Sequence, residues 1–350
     1  MQRKISQKYT NKSFWKGKNV LITGVNGFIG GNLAKFLISL NANIIGISNN
    51  RTKAKFLKHE GLLKKIKYYE LDIVNYKKFQ NVILSNDIDI CFHLAAQVDV
   101  NIAKIDPFTT LETNIRGTYN LLESFRLSKT IKSIIVASSD KAYGEYALKD
   151  LPYLENYDLR PLYPYDVSKA CADLITKTYS SSLFDLPIVT TRFSNIYGPG
   201  QLNFTALIPD CILANFSLRK FIPRGNGKNK RDFLYVNDVC DLYACLAFNL
   251  YKNKSLTGQI FNAGTGKGYT VDKIIKTICI LENNKPLYDK IKLSYIGKKL
   301  TGEIQHQFMS YTKLKKMFGW KPKSKLKEGL LTTINWYNSF LKHNNYKNFL

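Results

Sequence analysis

The 350-residue sequence has no long hydrophobic run, no paired cysteines, no internal repeat and no low-complexity linker. No apolar run approaches the roughly 20 residues of a transmembrane helix, so we expect no membrane span. Residues 1–18 are basic and polar and lack the apolar segment of a secretory signal. None of the cysteines stands in a C-x-x-C motif, and we expect reduced thiols in a cytoplasmic protein without a bound metal. The six cysteines are Cys91, Cys171, Cys211, Cys240, Cys245 and Cys279.

Acidic residues are also scarce. The chain has 26 Asp and Glu against 52 Lys and Arg, which gives a net charge of +26. Such a charge is typical of nucleic-acid-binding proteins, because clustered cations release counterions from phosphates. The lysines are spread along the chain, with a local density at 313–327, and we expect a solvated lysine-rich surface and no nucleic-acid partner. Hydrophobic residues make up 45% of the chain, which excludes a disordered protein.

Short apolar runs alternate with helical patterns through the first half of the chain. This alternation predicts an α/β fold with a doubly wound parallel sheet. The apolar runs are nearly continuous, as expected for strands that have helices on both faces. Strands are predicted at 20–23, 43–47, 67–71, 88–93, 133–137 and 188–193. Helices are predicted at 28–40, 109–127 and 165–183.

After residue 193 the pattern changes to turn-rich loops and separate helices. We expect a first domain over 15–193, to which 232–265 returns. The segments 194–231 and 266–343 then form a smaller C-terminal substrate-binding lobe. The helices predicted in this half lie at 205–216, 236–250, 271–281, 311–318 and 326–341.

A glycine-rich turn follows the first predicted strand and opens the first predicted helix. Gly24, Gly27 and Gly30 let the backbone approach a pyrophosphate closely, and the helix N-terminus supplies free N–H groups and a partial positive charge. A tight strand-to-helix turn explains the spacing alone, but its position near the start of the chain favours a dinucleotide-binding site. The candidate cofactor contacts in this turn are Gly24, Asn26, Gly27, Phe28, Ile29 and Gly30.

No acidic residue ends the second predicted strand, where one is expected to bind the adenosine ribose diol. Ser48 or Asn49 is left to bind the ribose, whereas Arg51 or Lys53 suits a 2′-phosphate. The residues therefore leave the choice between NAD and NADP open. The other candidate cofactor contacts lie after the third and fourth strands and on the long helix, at Asp72, Ile73, Leu94, Ala95, Ala96 and Asn114.

The candidate catalytic residues are Ser139, Tyr165 and Lys169. Tyr165 and Lys169 stand four residues apart and share one face of a helix. A lysine ammonium beside a phenol lowers the pKa of the phenol, so that the phenolate accepts a proton at neutral pH. Ser139, at a strand end 26 residues before Tyr165, is placed to orient a substrate alcohol.

With these motifs the chain resembles the extended short-chain dehydrogenase/reductase family of nucleotide-sugar epimerases and dehydratases, over residues 14–337. The segments 192–200 and 231–238 are similar to the family's motifs beside the nicotinamide, the sugar and the nucleotide diphosphate. The resemblance implies a Rossmann fold, NAD as the cofactor with NADP not excluded, a nucleotide-sugar substrate and a homodimer formed through helices 109–127 and 165–183. It also implies substrate contacts at Gln97, Asn195 and Arg231.

The residues after Ser139 separate the reactions within this family. Ser139, Asp140 and Lys141 resemble the Ser/Thr-Asp-Lys of CDP-glucose 4,6-dehydratases and their relatives, whereas epimerases resemble Ser-Ala-Thr and dTDP-glucose dehydratases Thr-Asp-Glu. The resemblance implies a lyase in which Tyr165 and Lys169 assist oxidation at C4, Lys141 removes the C5 proton and Asp140 protonates the departing 6-hydroxyl. These roles require shifted pKa values, and without them Asp140 and Lys141 form only an ion pair.

Other functions compete with this interpretation. A 4-epimerase needs Tyr165 and Lys169 but no elimination pair, and a uronate decarboxylase is a weaker enzyme alternative. From another class, a non-catalytic Rossmann protein would bind nucleic acid through its lysines, although the intact Ser139, Tyr165 and Lys169 argue against it. The residues name neither the nucleotide base nor the sugar.

Overall fold

The computed structural model describes residues 8–128, 130–296 and 304–349. Its strands are β1 (Asn19–Thr23), β2 (Asn43–Ser48), β3 (Ile66–Glu70), β4 (Ile90–His93), β5 (Ser133–Ser139), β6 (Ile188–Phe193), β7 (Asn195–Tyr197), β8 (Lys230–Arg231), β9 (Phe233–Tyr235), β10 (Ile260–Ala263), β11 (Tyr269–Thr270) and β12 (His306–Gln307). Seven strands form one parallel sheet in the order β10-β6-β5-β4-β1-β2-β3. The predicted parallel sheet is confirmed. The predicted basic N-terminal segment and the predicted C-terminal lobe include residues 1–7 and 297–303, and these parts of the predictions lie outside the described residues.

The α-helices fall close to the predicted segments in most places. They are α1 (Lys12–Trp15), α2 (Phe28–Ser39), α3 (Lys55–His59), α4 (Tyr76–Leu84), α5 (Val100–Ile105), α6 (Pro107–Leu111), α7 (Gly117–Ser128), α8 (Pro164–Tyr179), α9 (Leu207–Ser217), α10 (Val236–Lys252), α11 (Val271–Leu281), α12 (Lys285–Leu293), α13 (Thr312–Phe318) and α14 (Leu326–His343). The sequence pattern missed the helices α1, α3, α4, α5 and α12, which are short or mostly polar.

The two long predicted helices differ from the structure. The first begins earlier, because the Asp106 side chain accepts a hydrogen bond from Thr109 N at 2.9 Å and Pro107 opens α6. A π-helical turn, Glu112–Arg116, then separates α6 from α7. The second, α8, ends at Tyr179 rather than at 183. Phe184 lies in the turn after α8, and its ring stacks on Tyr179. The apolar pattern of the sequence therefore continues beyond the end of the helix, which made the predicted helix too long.

Two apolar cores cover the two faces of the sheet. Along β1, Val20 and Ile22 pack into one core with α2 and α10, and Leu21 packs into the other with α4 and α7. All three side chains are fully buried. This alternation puts helices on both faces and makes the sheet doubly wound.

The second lobe is built from excursions off the sheet. After β6 the chain forms β7, α9, β8 and β9, and α10 then returns it to the sheet at β10, which pairs with β6. The strands β11, β8 and β12 form a small sheet in the lobe. Ile212, Ile278 and Phe340 belong to its separate core. The exact domain boundaries stay a prediction.

Some features are missing from the described part of the chain. No helix there has the length and apolarity needed to cross a bilayer. No group of three or more His, Cys, Asp or Glu side chains is arranged there to hold a metal ion. All six cysteines are free thiols, and five of them are buried.

A buried ion pair joins the elements that carry the predicted catalytic residues. Arg192 Nε in β6 lies 2.6 Å from Asp173 Oδ2 in α8, and the side chains are 4% and 2% exposed. Arg192 Nη1 also donates to the hydroxyl of Tyr143 at 2.8 Å, in the turn after β5. The pair therefore fixes β6, α8 and this turn against one another.

We expect Asp173→Asn to destabilise the protein, because it leaves the buried charge of Arg192 without its carboxylate. The free energy of unfolding, measured by urea denaturation, should fall by about 3–5 kcal/mol. The matched control is Asp185→Asn, since Asp185 pairs with Lys254 with both side chains about two-thirds exposed. That change should cost less than about 1 kcal/mol. Equal losses in the two variants would contradict the structural role of the buried pair.

Candidate active site

A cavity of about 850 Å³ lies where the carboxyl ends of β1, β2, β4 and β5 face the second lobe. In open parallel sheets this edge is the usual place for a ligand. Most of the predicted site residues lie on its wall. These are Gly24, Asn26, Gly27, Phe28, Ile29, Gly30, Ser48, Asp72, Ile73, Leu94, Ala95, Ala96, Ser139, Lys141, Tyr165, Asn195 and Arg231. The predicted residues that do not line it are Gln97, Asn114, Asp140 and Lys169.

Gln97 and Asn114 hold the loop beside the cavity instead of lining it. Asn114 Nδ2 donates to Gln97 O at 3.0 Å and to Ser168 Oγ at 2.8 Å, and Asn114 Oδ1 accepts from Gln97 N at 2.8 Å. Gln97 Nε2 donates to Thr110 Oγ1 at 2.9 Å and to Asp99 O at 3.0 Å. Their amides are thus used to tie the loop after β4 to the π-helical turn and to α8. The direct ligand contacts expected of these two residues stay predictions.

The glycine-rich turn has the geometry of an anion cradle. Gly24 has φ +71°, and a Cβ there would lie 2.9 Å from the backbone N of Ala95, so a side chain is excluded. No side chain caps α2 at Gly27, and the first helical bond runs from Gly31 N to Gly27 O. The N–H groups of residues 28–30 are therefore left to face the cavity. Together with the helix dipole they fit the diphosphate of a dinucleotide.

The part of the cavity after β2, where we expect the adenosine, has amide and hydroxyl groups in place of an acid. Asn26 Nδ2 donates to Asn50 O at 2.6 Å and to the Tyr68 hydroxyl at 2.7 Å, while its Oδ1 is buried without a partner. The Arg51 guanidinium lies over the Tyr68 ring, 5.3 Å from its centroid, and is not on the wall. Lys53 is on the wall. An unpartnered buried acceptor at this place suits a ligand that carries a donor.

The end of β5 and the turn after it place the hydroxyl group of Ser139 and the amine of Lys141 on the cavity wall. Ser139 Oγ accepts from Lys141 N at 3.2 Å and donates to Asp140 Oδ1 at 3.2 Å. Lys141 Nζ donates to Gln307 Oε1 at 2.7 Å. Asp140 Oδ2 is buried without a hydrogen-bond partner. Burial raises the pKa of Asp140, although the nearby Lys141 charge acts to lower it.

Lys169 and Tyr165 lie one helical turn apart on α8, as predicted. Lys169 Nζ donates to Ala137 O at 3.0 Å, and burial lowers the pKa of Lys169 to about 8. Burial raises the pKa of Tyr165 above its usual value, against a hydrogen bond with Ser139 that lowers it. The expected lowering of the Tyr165 pKa by Lys169 stays a prediction, and burial of the phenol acts against it.

Two further polar residues at this place escaped the sequence analysis. Asp166 follows Tyr165 directly and lies on the cavity wall, and burial raises its pKa to about 6. The sequence offered one signal for Asp166, which is its position in the first turn of the predicted helix. Gln307 is fully buried and reaches Lys141 from β12, which pairs with β8. Nothing in the sequence indicated that contact, because 166 residues separate the two side chains.

The lobe contributes the remaining polar wall. Arg231 Nη1 donates to Lys230 O at 3.1 Å and to Gln305 O at 3.0 Å. Asn195 Nδ2 donates to Asp232 O at 3.3 Å. The Asp232 carboxylate itself accepts backbone N–H groups of Thr265 and other residues, which fixes the segment that holds Arg231. A guanidinium so held on the cavity wall fits an anionic substrate group.

Comparison with known protein families shows the family to which the chain belongs. The family model described as GDP-mannose 4,6 dehydratase matches residues 21–333. The chain belongs to the extended short-chain dehydrogenase/reductase family of NAD-dependent nucleotide-sugar epimerases and dehydratases. The predicted resemblance and the predicted Rossmann fold are thereby confirmed.

Individual relatives include both dehydratases and epimerases. The chain is 31% identical over 327 residues to a trifunctional UDP-glucose 4,6-dehydratase/UDP-4-keto-6-deoxy-D-glucose 3,5-epimerase/UDP-4-keto-L-rhamnose-reductase of Arabidopsis thaliana, covering 91% of this chain and 47% of that protein. It thus spans about half the length of that relative. It is 31% identical over 333 residues to a putative UDP-glucose 4-epimerase of Methanocaldococcus jannaschii, covering 93% and 99%. The crystal structure of dTDP-glucose 4,6-dehydratase from Bacillus anthracis in complex with NAD matches with a TM-score of 0.81 at 27% identity, covering 95% and 100%.

We expect Gly27→Asp to weaken dinucleotide binding more than Gly27→Ala does. Gly27 has φ −70°, which any residue adopts, and an aspartate there would cap the free N–H groups of α2 and repel a diphosphate. Binding of NAD, measured by calorimetry, should weaken about 10-fold or more relative to Gly27→Ala. The alanine control introduces the same Cβ, 3.0 Å from Gly24 O, without the charge. If the two variants bind NAD equally, the anion cradle is assigned to the wrong place.

Proposed function

We propose that this protein is an NAD-dependent nucleotide-sugar 4,6-dehydratase that converts an NDP-hexose to an NDP-4-keto-6-deoxyhexose. The observation that carries the proposal is Lys141. It places an amine on the cavity wall in the same turn as Ser139, close to Tyr165. Oxidation at C4 alone requires only the hydroxyl groups and Lys169, so an additional base at this place suits elimination.

The residues of the chain divide the first step between them. Ser139 and Tyr165, which both lie on the cavity wall, hold the 4-hydroxyl of the hexose, and Tyr165 takes its proton. NAD would supply the hydride acceptor for C4 and the hydride donor for C6. Lys169 positions Tyr165 through its hydrogen bond to Ala137 O. The 4-ketone so formed makes the proton on C5 acidic.

Lys141 then acts as the base for elimination. Its amine takes the C5 proton, the C5–H electrons form the C5=C6 bond, and the 6-oxygen leaves as water. Gln307 supports this role because its amide oxygen is a neutral acceptor, which orients Nζ without holding the proton as a carboxylate would. The sum is loss of water with no net redox change, so the same cofactor serves each turnover.

The structure supports NAD over NADP for this chain. Arg51, the residue best suited to a 2′-phosphate, has its guanidinium over Tyr68 and lies off the cavity wall. Ser48 and the unpartnered Oδ1 of Asn26 are left to meet the ribose. Mass spectrometry of the dinucleotide extracted from the protein checks this, and a 2′-phosphate would contradict it.

The proposed substrate contacts and assembly rest on the second lobe and on the long helices. Arg231 and Asn195 lie on the lobe wall of the cavity, where they suit the diphosphate and the sugar. Exposed apolar side chains on α7 and α8, among them Leu127 and Leu174, support a homodimer through these helices. The absence of a nucleic-acid partner stays a prediction.

We expect the purified protein to remove one water from a nucleotide hexose. Incubation with UDP-, dTDP-, CDP- and GDP-hexoses, followed by mass spectrometry, should show a product lighter by one water for the preferred nucleotide. A 4-epimerase is the alternative that the Methanocaldococcus jannaschii relative favours. It would give a product of unchanged mass with inverted C4, and that result would replace the dehydratase proposal.

We expect Lys141→Ala to separate oxidation from elimination. Tyr165 acts on the 4-hydroxyl and Lys141 on C5, so the variant should still form a 4-keto sugar with reduced nicotinamide. Formation of the 6-deoxy product should slow about 10²–10⁴-fold, and exchange of the C5 proton with heavy water should slow with it. Lys254→Ala, at an exposed lysine, is the matched control. Turnover of Lys141→Ala within a few-fold of the control would reduce Lys141 to a structural residue.

A further inference from the structure

We propose that Asp166 binds the 3-hydroxyl group of the hexose and makes the enzyme select nucleotide hexoses in which this hydroxyl is free. The inference rests on the proposed dehydratase function, and it gives a role to a residue outside the catalytic set of that reaction. It starts from a buried carboxyl group that the protein leaves without a hydrogen bond.

Asp166 faces the cavity from the first turn of α8. The residue is only 3% exposed, and it forms part of the cavity wall beside Tyr165 and Ser139. None of the residues that the structure describes donates a hydrogen bond to its carboxyl oxygens. A buried carboxylate without donors is costly, so we expect this one to meet its donors in a ligand.

The surroundings of Asp166 leave it mostly ionised at neutral pH. Burial raises its pKa to about 6, while the charge of Lys141 acts to lower the pKa and that of Asp140 to raise it. Its place in the first turn of a helix also favours a negative charge. An ionised carboxylate accepts hydrogen bonds and donates none, and the hydroxyl groups of a sugar are donors that suit it.

The other groups of the site leave the 3-hydroxyl to Asp166. In the proposed reaction Ser139 and Tyr165 hold the 4-hydroxyl, and Lys141 acts at C5. Asp140, the predicted acid for the 6-oxygen, lies in the same turn as Lys141, so that this turn serves the C5–C6 side of the hexose. Asp166 follows Tyr165 directly on α8. We therefore place it at the other neighbour of C4, which carries the 3-hydroxyl.

A hydrogen bond at this place fixes the hexose ring on either side of the C3–C4 bond. Tyr165 holds the 4-oxygen and Asp166 the 3-oxygen, so the ring cannot turn about its 4-oxygen and carry the C5 proton away from Lys141. A hexose without the 3-hydroxyl leaves the carboxylate unpaired in the closed site. Sites built to bind a hydroxyl group reject analogues that lack it for this reason.

The test changes the protein and the substrate in one cycle. Wild type and Asp166→Ala are each assayed with the preferred nucleotide hexose of the UDP, dTDP, CDP and GDP panel, and with its 3-deoxy and 2-deoxy counterparts. For wild type, kcat/KM should be about 10–100-fold lower on the 3-deoxy compound than on the parent, because a hydrogen bond to a charged group is lost. Asp166→Ala should lose a similar factor on the parent, yet it should convert the 3-deoxy compound within a few-fold of wild type.

Two variants and one substrate serve as controls. Asp87→Ala changes an exposed aspartate outside the cavity and should match wild type on all three compounds. Asp166→Asn keeps the shape of the side chain and a neutral acceptor, so its preference for the parent over the 3-deoxy compound should be intermediate. The 2-deoxy compound keeps the 3-hydroxyl, and Asp166→Ala should cost as much on it as on the parent.

A structural role of Asp166 would lower kcat/KM on all three compounds by the same factor in both Asp166 variants, and this result would overturn the proposal. A preference for the 2-hydroxyl that disappears in Asp166→Ala would overturn the assignment to the 3-hydroxyl. The mass of the product is a separate readout. If wild type inverts C4 without losing water, the dehydratase proposal fails, while the cycle still decides which hydroxyl Asp166 binds.

Discussion

The hydrogen bond from Lys169 to the carbonyl of Ala137 is the contact on which the candidate active site depends. It attaches α8 to the end of β5, two residues before Ser139. Tyr165, one helical turn before Lys169, is thereby brought to Ser139, and the turn that follows presents Lys141 to the same cavity. The buried pair of Arg192 and Asp173 holds the next turn of α8 from the neighbouring strand. The two contacts therefore fix α8 to the sheet at two successive helical turns, one at β5 and one at β6.

Burial shifts the acids and bases of this site in opposite directions. It lowers the pKa of Lys169 to about 8 and raises that of Asp166 to about 6. Groups that are several pKa units apart in water are brought close together near neutral pH, which is the condition for moving protons between a substrate and its surroundings. The same desolvation raises the pKa of Tyr165 above its usual value.

Much of the sheet and of the cofactor cradle follows from local pattern. The strands and the glycine-rich turn were predictable because apolar runs and glycines act through the backbone of their own segment. The hydrogen bonds between Gln97 and Asn114 could not be predicted, since amide side chains have many possible partners and only the fold selects one. Gln307 and Lys141 meet because β12 pairs with β8 in the second lobe. That contact is tertiary, and no spacing in the chain encodes it.

The central claim is that one hydride leaves C4 of a hexose and returns to C6 of the same molecule while water is lost between. The most direct measurement uses a nucleotide hexose that carries deuterium at C4. NMR and mass spectrometry of the product should find the deuterium in the methyl group at C6 of a 4-keto-6-deoxy sugar, with none released to solvent. Deuterium that is recovered at C4 of an unchanged or epimerised hexose would contradict the account, because the hydride would then never have reached C6.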